Sequence, residues 1–148
     1  MTTSLSLAVL IVIVAGAALA TQSPINAALS RSLASPVAAA TVSFAVGLVA
    51  LIAMTLVTSG PQSFARLAGT PSWQLVGGLL GAFYVCAVLW GVSALGVVST
   101  MAALILGQMG AALILDGWGM FGLQVQALSL QRIAAAGLVA AGLVLSRL

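Results

Sequence analysis

The stretch "TQSPINAALSR", residues 21–31, follows a run of apolar residues that carries no charge, and its reading decides the fold. Three readings compete: a signal-peptide cleavage site, the end of a membrane helix, or a proline-kinked part of a membrane helix that carries polar side chains into a bundle. The "ALA" at 18–20 matches a small-residue cleavage pattern, yet no Lys or Arg precedes Arg31 to make a positive n-region. If the helix ended near Ala20, Gln22 and Asn26 would be loop residues of no consequence. Residues 2–30 form an uncharged run too long for one untilted span, which favours a helix that continues. Pro24 then removes its own N–H bond to the Ala20 carbonyl and kinks the helix, and that carbonyl needs a neighbour, water or ligand. Gln22 and Asn26, four apart, share a face. Amides at bilayer depth are costly unless they meet protein or a wet cavity, so this face is expected to point inward.

Composition sets the same environment. Of 148 residues 63% are hydrophobic and 3% charged, with a mean hydropathy of +1.31, against roughly 25% charged residues in soluble domains. The chain reads as an all-α integral membrane protein with a single membrane domain, residues 1–148, because no stretch is polar enough for a soluble one. Its net charge of +3 and pI near 10.7 come from four isolated arginines and one aspartate, with no basic patch and no aromatic interleaving, so no nucleic-acid partner is expected. Cys86 is alone inside an apolar run, which excludes a disulfide framework or Cys-rich metal site and leaves the redox compartment open. With no histidine and one carboxylate, hydrolytic triads, paired carboxylates and the usual metal sites lack their residues. Neither an enzyme nor a cofactor or metal is expected.

The charges Arg31, Arg66, Asp116, Arg132 and Arg147 leave room for five spans. They are expected at about 4–29, kinked at Pro24, then 36–58, opened by a proline suited to a first helical turn, 73–90, 97–115 and 130–147. A loop rich in Gly, Pro and Ser, "TSGPQSFARLAGTPS", separates the second from the third. Residues 67–115 hold no charge and are far too many for one crossing of a roughly 30 Å core, so they must turn once. The expected turn is "GVSALG", residues 91–96. Trp73 and Trp90 would then sit roughly 26 Å apart in the two interfacial belts, or simply pack. After Asp116, "DGWGMFGLQVQALS" reads as an interfacial loop, and Ser129 as the N-cap of the fifth span. The segments lack period-two alternation, so the backbone must pair within helices and not in a barrel. Small residues offer packing stripes: Gly77 with Gly81 at GxxxG spacing, Ala103 with Gly107 and Ala111, and Ala136 with Ala140. A chain this rich in Gly and Ala also produces such spacings by chance.

Five spans put the termini on opposite sides of the membrane. Arg66 and Arg132 share the side of the N-terminus, whereas Arg31 and Arg147 share the other, a tie of two against two that the positive-inside rule does not break. The Met1 amine or the distance of each arginine from its span end would tip so fine a balance. The tie nevertheless suggests a chain that inserts both ways and pairs as an antiparallel dimer, a two-chain equivalent of the inverted repeat that opens a central site alternately to either side. No internal duplication is visible, so the second half must come from the partner.

The segments "SFAVG" at 43–47, "WQLVGGLLGAFYV" at 73–85, "GQMGAALILDGWGMFG" at 107–122 and "LSLQRIAAAGLVAAGLVL" at 128–145, with Gln22 and Asn26 before them, resemble the YdcZ-like family of small bacterial inner-membrane proteins in the drug/metabolite transporter superfamily. The resemblance covers essentially the whole chain. It implies a bacterial inner-membrane exporter, with small dual-topology members of the superfamily acting as antiparallel dimers, and it supplies no settled substrate.

The small multidrug exporters of that superfamily carry a membrane-embedded glutamate, and this sequence has none. Asp116 lies at the end of the fourth span beside a glycine turn, where an interfacial position avoids most of the roughly 2.5 to 3.5 kcal/mol cost of a charge at the bilayer centre. It is expected to anchor the structure by pairing with Arg132 or a partner's arginine. The remaining candidates for a central site are Gln22, Asn26, Ser43, Tyr84 and Gln108, with Phe44 and Tyr84 able either to stack on a solute or to pack. Neutral groups bond a neutral or anionic molecule but do not neutralise a buried cation. A small, non-cationic or amphipathic solute is therefore expected. Two other classes stay open: a non-transporting assembly or accessory protein, favoured by the scarcity of ionisable groups, and a channel, which lacks a ring of charge or a carbonyl filter.

Overall fold

A computed structural model describes residues 2–148, with side chains from Ser6 onward, and all regular structure among these residues is helical. Met1, and with it the amine that weighs on the charge balance, lies outside the described residues. The first helix, α1 (Thr2–Leu33), runs unbroken through Pro24. It extends past the expected limit near residue 29 and takes Arg31 into its last turn, where a cation faces the negative end of the helix dipole.

Two residues then reverse the chain. Ala34 stands in the left-handed region at φ 50°, its N–H bonded to the Arg31 carbonyl at 3.3 Å, and the Ser35 N–H reaches the Ser30 carbonyl at 3.2 Å. This is a Schellman closure with alanine where glycine is usual. Ser35 also caps α2 (Pro36–Thr58), its hydroxyl oxygen accepting the Ala38 N–H at 3.2 Å, with Pro36 in the first turn. So short a connection sends α2 back along α1. Small side chains let the backbones come close: Ala39 is fully buried, and Ala27 and Ala40 nearly so.

After α2 come a single turn α3 (Gln62–Ala65) and two 3-10 turns, Arg66–Gly69 and Ser72–Leu75, before α4 (Val76–Leu95). Leu89 of α4 completes the cluster with Ala27, Ala39 and Ala40. The expected turn at residues 91–96 is largely helix. A single glycine such as Gly91 does not end a helix, and the break falls on Gly96 alone, at φ 79°, a conformation that side-chain-bearing residues rarely adopt. Trp73 accordingly lies in the turn before α4, and Trp90 is five residues short of its end.

Contacts divide the chain into two compact units, one ending at Ser93 and the other Ala94–Leu148. In the second, α5 (Val97–Trp118) carries on past Asp116 and stops at Gly119, φ +61°. The chain turns through Met120–Gly122, runs without helix over 123–129, and enters α6 (Leu130–Leu145), whose N-cap Ser129 accepts the Arg132 N–H at 3.3 Å. Both ends of α6 are tied to α5. At one end Arg132 pairs with Asp116; at the other the Ser99 and Ser146 hydroxyls lie 3.2 Å apart, and Arg147 donates to the Leu95 carbonyl at 3.4 Å. The two helices therefore run antiparallel along their whole length.

Among the described residues four helices are long and apolar enough to cross a membrane: Ser6–Leu33, Pro36–Thr58, Ser72–Leu95 and Val97–Trp118. The fifth expected span, α6, has 16 residues. Most large apolar side chains point outward, Val12, Val57, Leu79 and Leu138 among them, which suits a lipid environment. Hydroxyls are turned inward on their own helices: Thr21, Ser23, Thr41, Thr55, Thr58, Ser93 and Thr100 each donate to the carbonyl four residues back, at 2.7 to 3.0 Å.

The two left-handed positions give opposite expectations. Ala34→Gly relieves the backbone but loosens the unfolded chain, for a net gain of about 0.5 kcal/mol. Gly119→Ala loses about 1 to 3 kcal/mol, since its Cβ would be strained and 2.7 Å from Val125 Cγ2. Unfolding midpoints in mild detergent check both, and Gly119→Ala with Val125→Ala should recover only the steric part.

Candidate functional site

The first unit collects neutral polar side chains from three helices. Gln22 of α1, Ser43 and Phe44 of α2 and Val85 of α4 line an open cleft of about 360 Å³, whose aliphatic wall is Gly47, Leu48 and Leu51. The helical period explains the α2 contribution, because Ser43, Gly47 and Leu51 recur every four residues on one face. Gln22 Nε2 donates to Ser43 Oγ at 3.5 Å, a long bond that holds the rim of the cleft.

Beyond Gln22 lies a narrow crevice shared with Ser23, Asn26, Tyr84 and Val85 and floored by Leu19, Val88 and Leu89. At about 10 Å³ it has room for roughly one water. Asn26 is 7% exposed and Ser23 2%, but the Ser23 hydroxyl is already engaged with the Leu19 carbonyl. The Tyr84 hydroxyl is buried and has no hydrogen-bond partner. None of the residues lining cleft or crevice is charged. Gly81 faces the Phe44 ring, where a Cβ would make ordinary contact at 3.7 and 3.8 Å, whereas one at Gly77 would meet nothing within 4 Å.

Five of the six residues expected at a central site, Gln22, Asn26, Ser43, Phe44 and Tyr84, thus share one unit. Gln108 belongs to the other and stands exposed on α5. The stripe it accompanies is half-buried at Ala103 and open at Gly107 and Ala111. Sequence reasoning overlooked Ser23, Gly47, Leu51 and Val85. The four-residue spacing from Ser43 was the available signal for the α2 pair; Ser23 and Val85 simply neighbour residues already singled out.

In the second unit an apolar cleft of about 610 Å³ lies between the end of α5 and the start of α6, lined by residues including Ile114, Trp118, Leu128 and Ile133. Beside two of these in sequence are the members of the ion pair. Each stands at a helix end that its own dipole disfavours, Asp116 in the last turn of α5 and Arg132 in the first turn of α6. The pairing of Arg132 Nη2 with Asp116 Oδ2 offsets both penalties, and the Gln126 N–H closes the connection on the Asp116 carbonyl at 2.9 Å. A second guanidinium nitrogen of Arg132, Nη1, is buried without a partner among the described residues.

A family model described as "Putative inner membrane exporter, YdcZ" matches residues 7–145. No curated protein and no solved structure matches the chain.

A double-mutant cycle measures the ion pair. Asp116→Asn and Arg132→Gln are each expected to lower stability, with the double variant regaining a coupling energy on the order of 1 kcal/mol. Additive losses in detergent unfolding would show that the two charges act independently.

Proposed function

Because the chain belongs to the YdcZ family and is a multi-pass inner-membrane protein, we propose that it exports a small, non-cationic solute by alternating access, as an antiparallel homodimer of five-span protomers. The observation that carries this reading is the gathering of neutral polar groups on three membrane helices, Gln22 and Ser43 in an apolar cleft and Asn26 and Tyr84 in the crevice that shares Gln22 with it. Side chains of this kind are costly at membrane depth and mark solute pathways there. Phe44 supplies an aromatic wall.

The fifth span rests on the two ties of α6 to α5. Sixteen residues rise ~24 Å, short of a ~30 Å core. Yet α6 reaches from the Asp116 end of α5 to its Ser99 end, and α5 is of membrane length. Arg132 and Arg147, near the two ends, can extend toward the headgroups. With α6 crossing, the arginines stay tied at two against two. Without it, Arg66, Arg132 and Arg147 would share one side against Arg31, and a single orientation would follow.

Partner and site belong together in this reading. Gln108 is exposed on α5 beside the open surfaces of Gly107 and Ala111. An amide facing lipid is unfavourable, and a second copy packed on this small-residue surface covers it.

Reporters fused after Leu148, one active only in the cytoplasm and one only outside it, are expected both to be active on the wild type. Arg31→Ala and Arg66→Ala should tip the ratio in opposite directions. Activity of a single reporter would sink dual insertion. Saturable flux into liposomes separates a carrier from a channel or an accessory protein.

A further inference from the structure

Tyr84, whose buried hydroxyl finds no hydrogen-bond partner among the described residues, lines the crevice behind Gln22. An unpartnered buried polar group carries a desolvation penalty of roughly 1 to 3 kcal/mol, and Tyr84 bears it beside Asn26, in a space of about 10 Å³. The neighbouring hydroxyl of Ser23 is no partner, being bonded to Leu19. Gln22 and Val85 line both the crevice and the large cleft, so the two spaces adjoin at Gln22. What holds Gln22 there is one long bond to Ser43.

We propose that the Tyr84 hydroxyl is the group that selects the solute, donating a hydrogen bond to a neutral acceptor, such as an amide or ester carbonyl, that reaches it by displacing Gln22 from Ser43. This rests on the transport site described above and names its substrate class: a neutral amphiphile with an acceptor head and an apolar body. The cleft gives the size, since about 360 Å³ holds on the order of a dozen non-hydrogen atoms. Its walls give the polarity: Phe44, Leu48, Leu51 and Val85 surround the body, and Gln22 with Ser43 forms the only polar part of the lining. A cation finds no countercharge among the residues lining either space. Tyr84 acts here through its oxygen and not through its ring.

The test uses the full chain in nanodiscs and two probes of similar size, N,N-dimethyloctanamide, which carries an acceptor and no donor, and undecane, which carries neither. Equilibrium dialysis against empty discs is expected to show saturable binding of the amide to the wild type. Tyr84→Phe, which keeps the ring and the packing, should weaken that binding about tenfold and leave undecane uptake unchanged. Ser43→Ala, which frees Gln22, should speed amide association. Equal amide binding by wild type and Tyr84→Phe, or no saturable binding of the amide to the wild type, overturns the assignment. Tyr84-dependent binding without flux in liposomes would preserve it and count against transport, whereas saturable flux of other solutes with no amide binding would do the reverse.

Discussion

In hydrocarbon no water completes an unpaired peptide group, and every other feature of this chain follows from that requirement. Helices are the only answer open to segments without period-two alternation, and the chain leaves a helix only where the exposed carbonyls and amides find partners. The reversal after Leu33 closes on two backbone bonds and a serine cap. The break at Gly96 has its preceding carbonyl, that of Leu95, met by Arg147. The end of α5 has Gln126 bonded to the Asp116 carbonyl. Three of the charges follow the same rule: Asp116 and Arg132 pair across the α5–α6 connection, and Arg147 meets the Leu95 carbonyl at the Gly96 break.

Against that background the polar cluster of the first unit stands apart. Many Ser and Thr hydroxyls elsewhere bond back to their own helices, whereas Gln22, Asn26 and Tyr84 make no such bond among the described residues. In the proposed reading their polarity serves a solute that enters the cleft and the crevice behind it. A membrane protein that needed only to stand in the bilayer would gain from replacing these three by leucine or phenylalanine.

Much of this was legible in the residues. The uncharged length of residues 2–30 pointed to a helix continued past Pro24, the Pro36 and Ser129 positions marked helix starts, and the four-residue step from Gln22 to Asn26 placed both on one face. Asp116 and Arg132 were legible as a pair because so few charges exist to choose from. What escaped was set by partners distant in sequence or by single dihedrals. Residues 91–96 look like a turn by composition, but only Gly96 takes a conformation closed to other residues, and α4 continues through the rest. The tie from Arg147 to Leu95 spans 52 positions and leaves no periodic trace. Ala34 hid its role altogether, since nothing in an alanine announces a left-handed backbone.

The inward-turned hydroxyls bear on biogenesis. Since Thr21, Thr41, Thr55, Thr58 and Thr100 are satisfied by the carbonyl four residues back, these hydroxyls need no neighbouring helix in order to enter lipid. Packing of helix on helix can then follow insertion, as a two-dimensional encounter between spans already at home in lipid.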